Sequence, residues 1–522
     1  MAAKPPLNLL DRAILWAAPG RALRRIAARQ AVAHYDAATP SRLRKTRGES
    51  ASPVDLTQAS AAQIRNQARY ADKNHDIARG ALSVLVNNTV GPDGIGVEPQ
   101  PRRRDGTIHV EYAKALLAGY RDWCKRPEVT WRHSWSAGQR LVARTWFRDG
   151  EGFAQKLTGR IPGLDHGTKV PFSLELLEPD MLPLDYDDVG RGIRQSIERN
   201  AWGRPRGYWV YKQHPGDRYT GLIGMTDVKR IDAGSMLHLF TADRIGQIRG
   251  ISAFASVLTR LDDIKDYEES ERIAAKVAAS ITGVIKKGSP ELYNPSDALD
   301  ADGNPISRDI RMSPGMFIDS LATGESIELL DPSRPNPNVV TFRQGQLKAV
   351  AAGIGAAYSS IARSYDGTYS AQRQELVEQW VNYACLTDEF VGQFVRPVYE
   401  AFVAAATLSG AIPVPTDVVP DSANDALFVG TQMPWVDPMR EASAWLELVE
   451  AGFASEVEVM RARGVNPDDT LEQLATFREK AKARGLTLKS DFANAQQGGA
   501  PGAPAEPAPA KPAKKPAAKR AA

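Results

Sequence analysis

Apolar residues recur at helical steps along Leu56 to Tyr70 and Asp76 to Val90, which predicts two helices, with Asn74 as N-cap of the second and Gly91-Pro92 as its stop. From Gly150 to Phe240 the period shortens. Phe153 to Leu157, Phe172 to Leu177, Gly207 to Gln213 and Met236 to Phe240 are brief strand-like runs bounded by Gly, Pro and Asp. The segment Ile251 to Lys287 then has no proline and one late glycine, Gly283, with Phe254, Leu258, Leu261 and Ile264 at helical spacing. Helical throughout, it would reach about 50 Å. Residues 288–338 turn rich in Pro, Gly, Asn and Asp, with short strands expected at Met316 to Ile318 and Ile327 to Leu329. Helical periodicity returns in Phe342 to Ile361 and Gln372 to Leu408, separated by the polar stretch Arg363 to Ser370 with its Asp366-Gly367 turn signal. A rod, a knob and returning helices make a hairpin-like excursion. After a proline-rich connection, Met439 to Arg484 is helical and charged, with breaks at Gly452 and at Gly464 to Pro467. The pattern predicts an α+β chain, mostly α.

Length adds that 522 residues exceed one simple module. No run of about 18 apolar residues exists, so neither a membrane span nor a secretory signal is expected. Cys124 and Cys385 lie far apart, giving no disulfide framework and suiting a reducing compartment, with cytosolic synthesis the default. The net charge of +4 does not announce a nucleic-acid binder, but its distribution is uneven. Residues 1–50 hold ten Lys or Arg against three acids, a basic arm in which Arg21 to Ala33 has helical spacing. From Gln496 onward the chain is Ala, Pro, Gly and Lys without core-forming residues and is expected to stay extended.

Signatures of catalysis are sparse. Seven histidines are scattered without an i,i+4 pair or a cysteine cluster, so no metal site is expected. Gly163 to Lys169 lacks the order of a phosphate cradle, and the glycines of Gly91 to Gly96 follow a helix instead of a strand, so neither a nucleotide nor another cofactor is expected. A Gly-x-Ser-x-Gly elbow is absent. Asp185, Asp187 and Asp188 are the one acidic cluster that suits Mg²⁺ and phosphoryl chemistry, weighed against a solvated turn beside Pro183 and Gly190. Aromatics from Trp123 to Phe147, mixed with arginines, suit either base stacking or a helix-to-sheet junction, and packing is the simpler account. On the long predicted helix, Asp262, Asp266 and Glu269 fall on one face at steps of four and three. They form either a solvated face or the wall of a passage. Duplex DNA carries one charge per roughly 1.7 Å, so a 50 Å passage holds about thirty phosphates; lysines there would grip them and acids would let them slide.

Several stretches resemble the portal proteins of tailed bacteriophages, of the lambda type: His34-Tyr35-Asp36-Ala37-Ala38, Asn87-Asn88-Thr89-Val90-Gly91, Leu176 to Asp180, and His238-Leu239-Phe240 leading to Gln247-Ile248-Arg249-Gly250-Ile251-Ser252. Tyr369-Ser370-Ala371-Gln372-Arg373 and Trp435-Val436-Asp437-Pro438 continue the resemblance in order. It implies a non-enzymatic ring, typically of twelve subunits, at one capsid vertex, through which a motor drives DNA. The implied divisions are an arm (1–50), a wing (51–250), a stem helix (251–287), a clip (288–341), a second stem helix (342–361), a tunnel loop (362–371), a wing helix with its connection (372–438), a crown (439–490) and a tail (491–522). Asp262, Asp266 and Glu269 of the stem, with Arg363, Ser364, Tyr365, Asp366, Gly367 and Tyr369 of the loop, would face the channel. Implied partners are further copies of the chain, the terminase large subunit, major capsid and scaffold proteins, head-tail connector proteins and double-stranded DNA, without a membrane. The implied location is the virion's portal vertex, and the host cytoplasm during assembly. Twelve inner helices, each about 10 Å wide, would leave a bore of roughly 28 Å, enough for a B-form duplex. The family motifs do not reach the tail. Two other readings stay open: a Mg²⁺-dependent nucleic-acid enzyme using Asp185, Asp187 and Asp188, and a DNA-binding protein acting through its basic ends.

Overall fold

The computed structural model describes residues 14–22, 24, 48–217, 227–280, 284–287, 325–328, 338–433 and 437–486. Most of the basic arm, the expected strand Met316 to Ile318 and the tail lie outside them. The body opens with α1 (Pro53–Asn74), whose N-cap Ser52 accepts the Asp55 N–H while Pro53 fills the first turn where no donor is needed. Helix α2 (Asp76–Thr89) starts after His75, not after Asn74 as the sequence suggested, because the Asn74 amide donates back to the Tyr70 carbonyl. The buried His75 ring instead reaches the Leu261 carbonyl at 2.9 Å, tying this elbow to a distant helix.

Strand β1 (Gly96–Pro99), α3 (Val110–Trp123) and α4 (Trp135–Asp149) follow, and then a three-stranded antiparallel sheet in which β2 (Glu151–Thr158) lies between β3 (Phe172–Leu177) and β8 (Met236–Phe240). A second antiparallel sheet runs in chain order through β4 (Ile193–Arg194), β5 (Ile197–Arg199), β6 (Pro205–Tyr211) and β7 (Val228–Asp232). The four short strands expected between Gly150 and Phe240 are present within a residue or two. The aromatics pack the junction, as the simpler account held: Trp123 stacks on Phe172 at 5.3 Å and its Nε1–H donates to the Phe172 carbonyl, and Trp135 stacks on Phe394 at 5.7 Å. Their arginines are occupied too, Arg144 by Asp72, Arg148 by Asp149 and Arg121 by Asp469.

The long rod is shorter than expected. Residues 251–252 are irregular and 253–257 are turns, because Ala253 N–H bonds back to the Phe147 carbonyl and Ser252 is buried beneath α4. Helix α5 (Leu258–Ser280) has 23 residues, about 35 Å, and Val284–Lys287 (β9) is a strand paired antiparallel with Glu325–Glu328 (β10). The returning rod is likewise divided, into α6 (Asn338–Ile354) and α7 (Tyr358–Ala362), with Gly355 left-handed at φ +66° between them. Helix α8 (Tyr369–Phe390) passes through a π-turn at Val391–Val395 into α9 (Arg396–Leu408). Pro397 has no N–H to offer Gln393, and the widened turn carries the Arg396 N–H to the Val391 carbonyl instead. Gln393, thus turned, accepts the Phe240 N–H at 3.0 Å and fixes the edge of β8. Strand β11 (Ala426–Val429) returns to pair with β1, and α10 (Pro438–Glu450), α11 (Glu456–Ala462) and α12 (Pro467–Ala483) close the described chain with breaks where glycines predicted them.

Candidate channel-facing surface

Helices α5 and α6 lie side by side. Leu261 and Ile264 are buried, the Tyr267 and Phe342 rings meet at 4.9 Å, and Arg343 Nε contacts Glu268 at 2.5 Å. On the opposite face Asp262, Asp266 and Glu269 are all exposed. The seven steps from residue 262 to 269 rise about 10 Å, so the three carboxylates form a short strip. Their pattern was readable because period alone decides which side chains share a helix face.

The polar break begins one helix later. The Gly355 carbonyl accepts the Asn382 amide at 2.7 Å and also the Gln379 amide, so α8 holds the end of α6 from the side. Arg363 terminates α7 in a left-handed conformation, φ +54°, and Thr368 caps α8 by accepting the Ala371 N–H. The loop is therefore 363–368, tighter than the expected 362–371. Ala362 is helical, and Tyr369 is the first residue of α8 instead of part of the loop. Arg363, Tyr365, Asp366, Gly367 and Tyr369 are exposed, whereas Ser364 is half-buried and donates to Asp366 at 2.7 Å. Gln372 donates to the Tyr365 carbonyl, so the loop is braced against its own helix. Close packing of Gly353 on Val257 sets the end of α6 against the foot of α5, where the acidic strip begins a turn further along.

Beneath that foot lies a buried ionic junction that the sequence did not disclose. Arg249, fully buried, donates from Nε and Nη2 to both Glu151 oxygens at 2.7 to 3.0 Å, and from Nη1 to the Gln195 carbonyl at 2.9 Å. Glu151 also accepts Gly250 N–H at 3.1 Å and Arg65 at 3.3 Å, and faces His238 Nε2 at 3.1 Å. Burial opposes the charge on Glu151, but Arg249 and His238 outweigh it and hold the carboxyl well below the usual range. Burial lowers the pKa of His238, which is stacked between Phe153 and Phe240 at 4.3 and 4.4 Å, against the pull of Glu151. Two glycines make this crossing possible: a Cβ on Gly250 would sit 2.0 Å from the Gly150 carbonyl oxygen, and Gly150 itself has φ +95°. The only sequence trace was the Gln247 to Ser252 stretch. That its arginine is fully buried depends on hydrogen-bond partners 54 to 98 positions away.

The acidic cluster has structural duties. Asp187 accepts the Gln195 N–H at 2.7 Å and the Gln58 amide at 3.0 Å, and Asp188 caps a single turn at Arg191. These bonds hold the β4 to β5 turn, where Gln195 and Ser196 are both left-handed, which counts against a Mg²⁺ site there. A separate trio, Glu178, Asp180 and His214, brings its ligand atoms within 4.8 Å of one another. Arg65 and Arg69 already contact Asp180, and burial notwithstanding, they keep its carboxyl below the usual range. Two guanidiniums beside the trio supply the positive charge that a metal would.

A model of the family described as phage portal protein, lambda family, matches residues 39–386. The "Probable portal protein" of Halomonas phage phiHAP-1 is 24% identical over 81% of this chain and 81% of its own length. "Portal protein B" of Escherichia phage lambda is 20% identical over 59% of this chain and 62% of its own. The solved "Neck of native GTA particle computed with C12 symmetry" contains a chain 14% identical, covering 79% of this chain and 99% of that one, with a TM-score of 0.42.

Proposed function

The chain belongs to the lambda family of phage portal proteins and has a portal function, and from that premise we propose how its surfaces are used. Copies close into a ring, typically of twelve, with α5 and α6 as the stem, residues 288–341 as the clip, α10 to α12 as the crown and the remaining α+β body as the wing. Duplex DNA passes along the axis past Asp262, Asp266 and Glu269, and past the loop 363–368. The observation that carries this reading is the strip itself: three exposed carboxylates on one side of a helix whose other side is packed against α6. Repulsion between the strip and phosphate keeps a moving duplex from being held by counterion release. The loop, braced by Gln372 and Thr368, projects Arg363 and Tyr365, with Tyr369 following at the start of α8, where a duplex at rest would be touched. The terminase motor and later the connectors dock at the clip, and capsid and scaffold proteins surround the wing. The ring assembles in the host cytoplasm and stays at the virion vertex.

Depletion by an amber codon, with complementation by the intact gene, tests the portal role. The expected result is capsids without DNA when the chain is missing and filled particles when it is restored. Normal filling without the chain would contradict it.

A further inference from the structure

The three terminal helices lack a core. Among the described residues, α10 and α11 bury none and α12 buries only Ala481. Helices of 13, 7 and 17 residues do not persist in water on propensity alone, so their apolar faces need cover. The outward side of α10 carries Met439 and Leu446, 80% and 59% exposed, flanked by exposed Glu447 and Glu450. Trp445 and Val449, half-buried, turn the other way.

Attachment of these helices to the body is polar. Arg461 grips Glu98 through two bonds of 2.6 and 3.2 Å, and Glu472 and Asp469 of α12 pair with Lys114 and Arg121 of α3. Beside those pairs an open cleft of about 460 Å³ lies between Arg121 of α3 and α12, lined on the α12 side by Asp469, Glu472, Gln473, Thr476, Phe477 and Lys480. Phe477 is 59% exposed there, and Lys480 and Arg484 continue the same face. One element thus offers apolar side chains with two carboxylates, and the other an aromatic floor with two cations beside carboxylates already engaged by Lys114 and Arg121. Within one copy they do not meet, since Leu446 and Phe477 both stay exposed.

We propose that the outward strip of α10 in one copy seats in the α3–α12 cleft of the next copy, with Leu446 over Phe477 and Glu447 and Glu450 against Lys480 and Arg484. The contact is head-to-tail, so it propagates around a ring and leaves no copy uncovered. It rests on the ring reading above. It adds that the crown is an intersubunit clasp, completed by the neighbour, and that it locks the body and crown of one copy together.

The test mixes two chains, both Cys385→Ser, one bearing Glu447→Cys and the other Lys480→Cys, assembled together and oxidised. Particle shape is read by electron microscopy in the same samples. Covalent dimers in the mixture, and none from either chain alone, are expected. Rings without covalent dimers overturn the clasp and leave the portal reading standing. Unmodified protein that never forms rings overturns both. As an independent variant, Glu447→Lys with Glu450→Lys is expected to weaken ring association at least about tenfold, and Lys480→Glu with Arg484→Glu in the same chain to restore it. Failure of the second pair to restore association contradicts the assigned partners.

Discussion

Replacing Arg249 by Met tests the buried junction that precedes α5. The substitution keeps much of the side-chain volume but deletes the paired bonds to Glu151 and the donation to the Gln195 carbonyl, and leaves a fully buried carboxylate with only Arg65, His238 and the Gly250 N–H. Removing one partner of a buried pair costs about 3–5 kcal/mol, because the orphaned charge stays desolvated. For a unit of roughly 200 residues that corresponds to a melting temperature lower by about 6–20 °C. Thermal unfolding followed by tryptophan fluorescence suits the assay, since Trp123, Trp135 and Trp146 are buried in the same body. Neutralising the survivor, in Arg249→Met with Glu151→Gln, is expected to recover at least half of the loss, because an amide is far cheaper to bury than a carboxylate. A single variant that melts within about 3 °C of the parent, or a double variant no better than the single, would refute the reasoning.

Other expectations follow from the same geometry. Changing Asp262, Asp266 and Glu269 together to Lys places cations along about 10 Å of rise, opposite about six phosphates, and predicts packaging that is slowed in low salt and relieved in high salt, with affinity for DNA changing about 10³-fold between 50 and 200 mM. Unchanged low-salt packaging would remove the strip from the channel. Gly355→Val is expected to cost about 1–3 kcal/mol, because its φ is +66° and a Cβ would lie 2.8 Å from Asn382 Nδ2. Gly367→Val, with its nearest neighbour at 3.4 Å and no positive φ, is expected to stay within about 0.5 kcal/mol, and equal melting curves for the two would contradict the left-handed break at Gly355. His238 and Glu151 are both depressed from their ordinary values of 6.5 and 4.5, so the unfolded chain takes up protons first and stability is lost as pH falls below each in turn. The urea midpoint is expected to be level between about pH 7 and 8, to fall below about 6.5 and to fall again below about 4.5, with His238→Gln abolishing the first decline. A midpoint that rises between pH 7 and 6 would show that His238 is not buried neutral.

Much of this fold was legible because it follows from local period and punctuation. The exposed face of α5 needed only the 3.6-residue repeat, and the breaks before α11 and α12 needed only Gly452 and Gly464. What stayed hidden depended on distant partners. Residues 251–257 fall within the expected helix yet stay outside α5, since Phe147 and Gly150 claim their backbone and packing space. Asp185, Asp187 and Asp188 look like a metal cluster in sequence, but the β4 to β5 turn uses Asp187 as its anchor. The π-turn before Pro397 is readable afterwards from one missing N–H, but only because α8 and α9 are continuous in space. Glu151, at the head of an ordinary strand, gave no sign that Arg249, His238 and Arg65 converge on it.

The central claim is that copies of this chain enclose an axial passage with the acidic strip on its wall. Axial electron-microscopy images of the purified protein, with a cationic gold label as a probe of the bore, measure it directly. The account predicts closed rings with an opening of roughly 28 Å that holds the label, and loses it when Asp262, Asp266 and Glu269 are changed to Asn, Asn and Gln. Solid particles, single chains under every assembly condition, or label held equally by the neutral variant would contradict it.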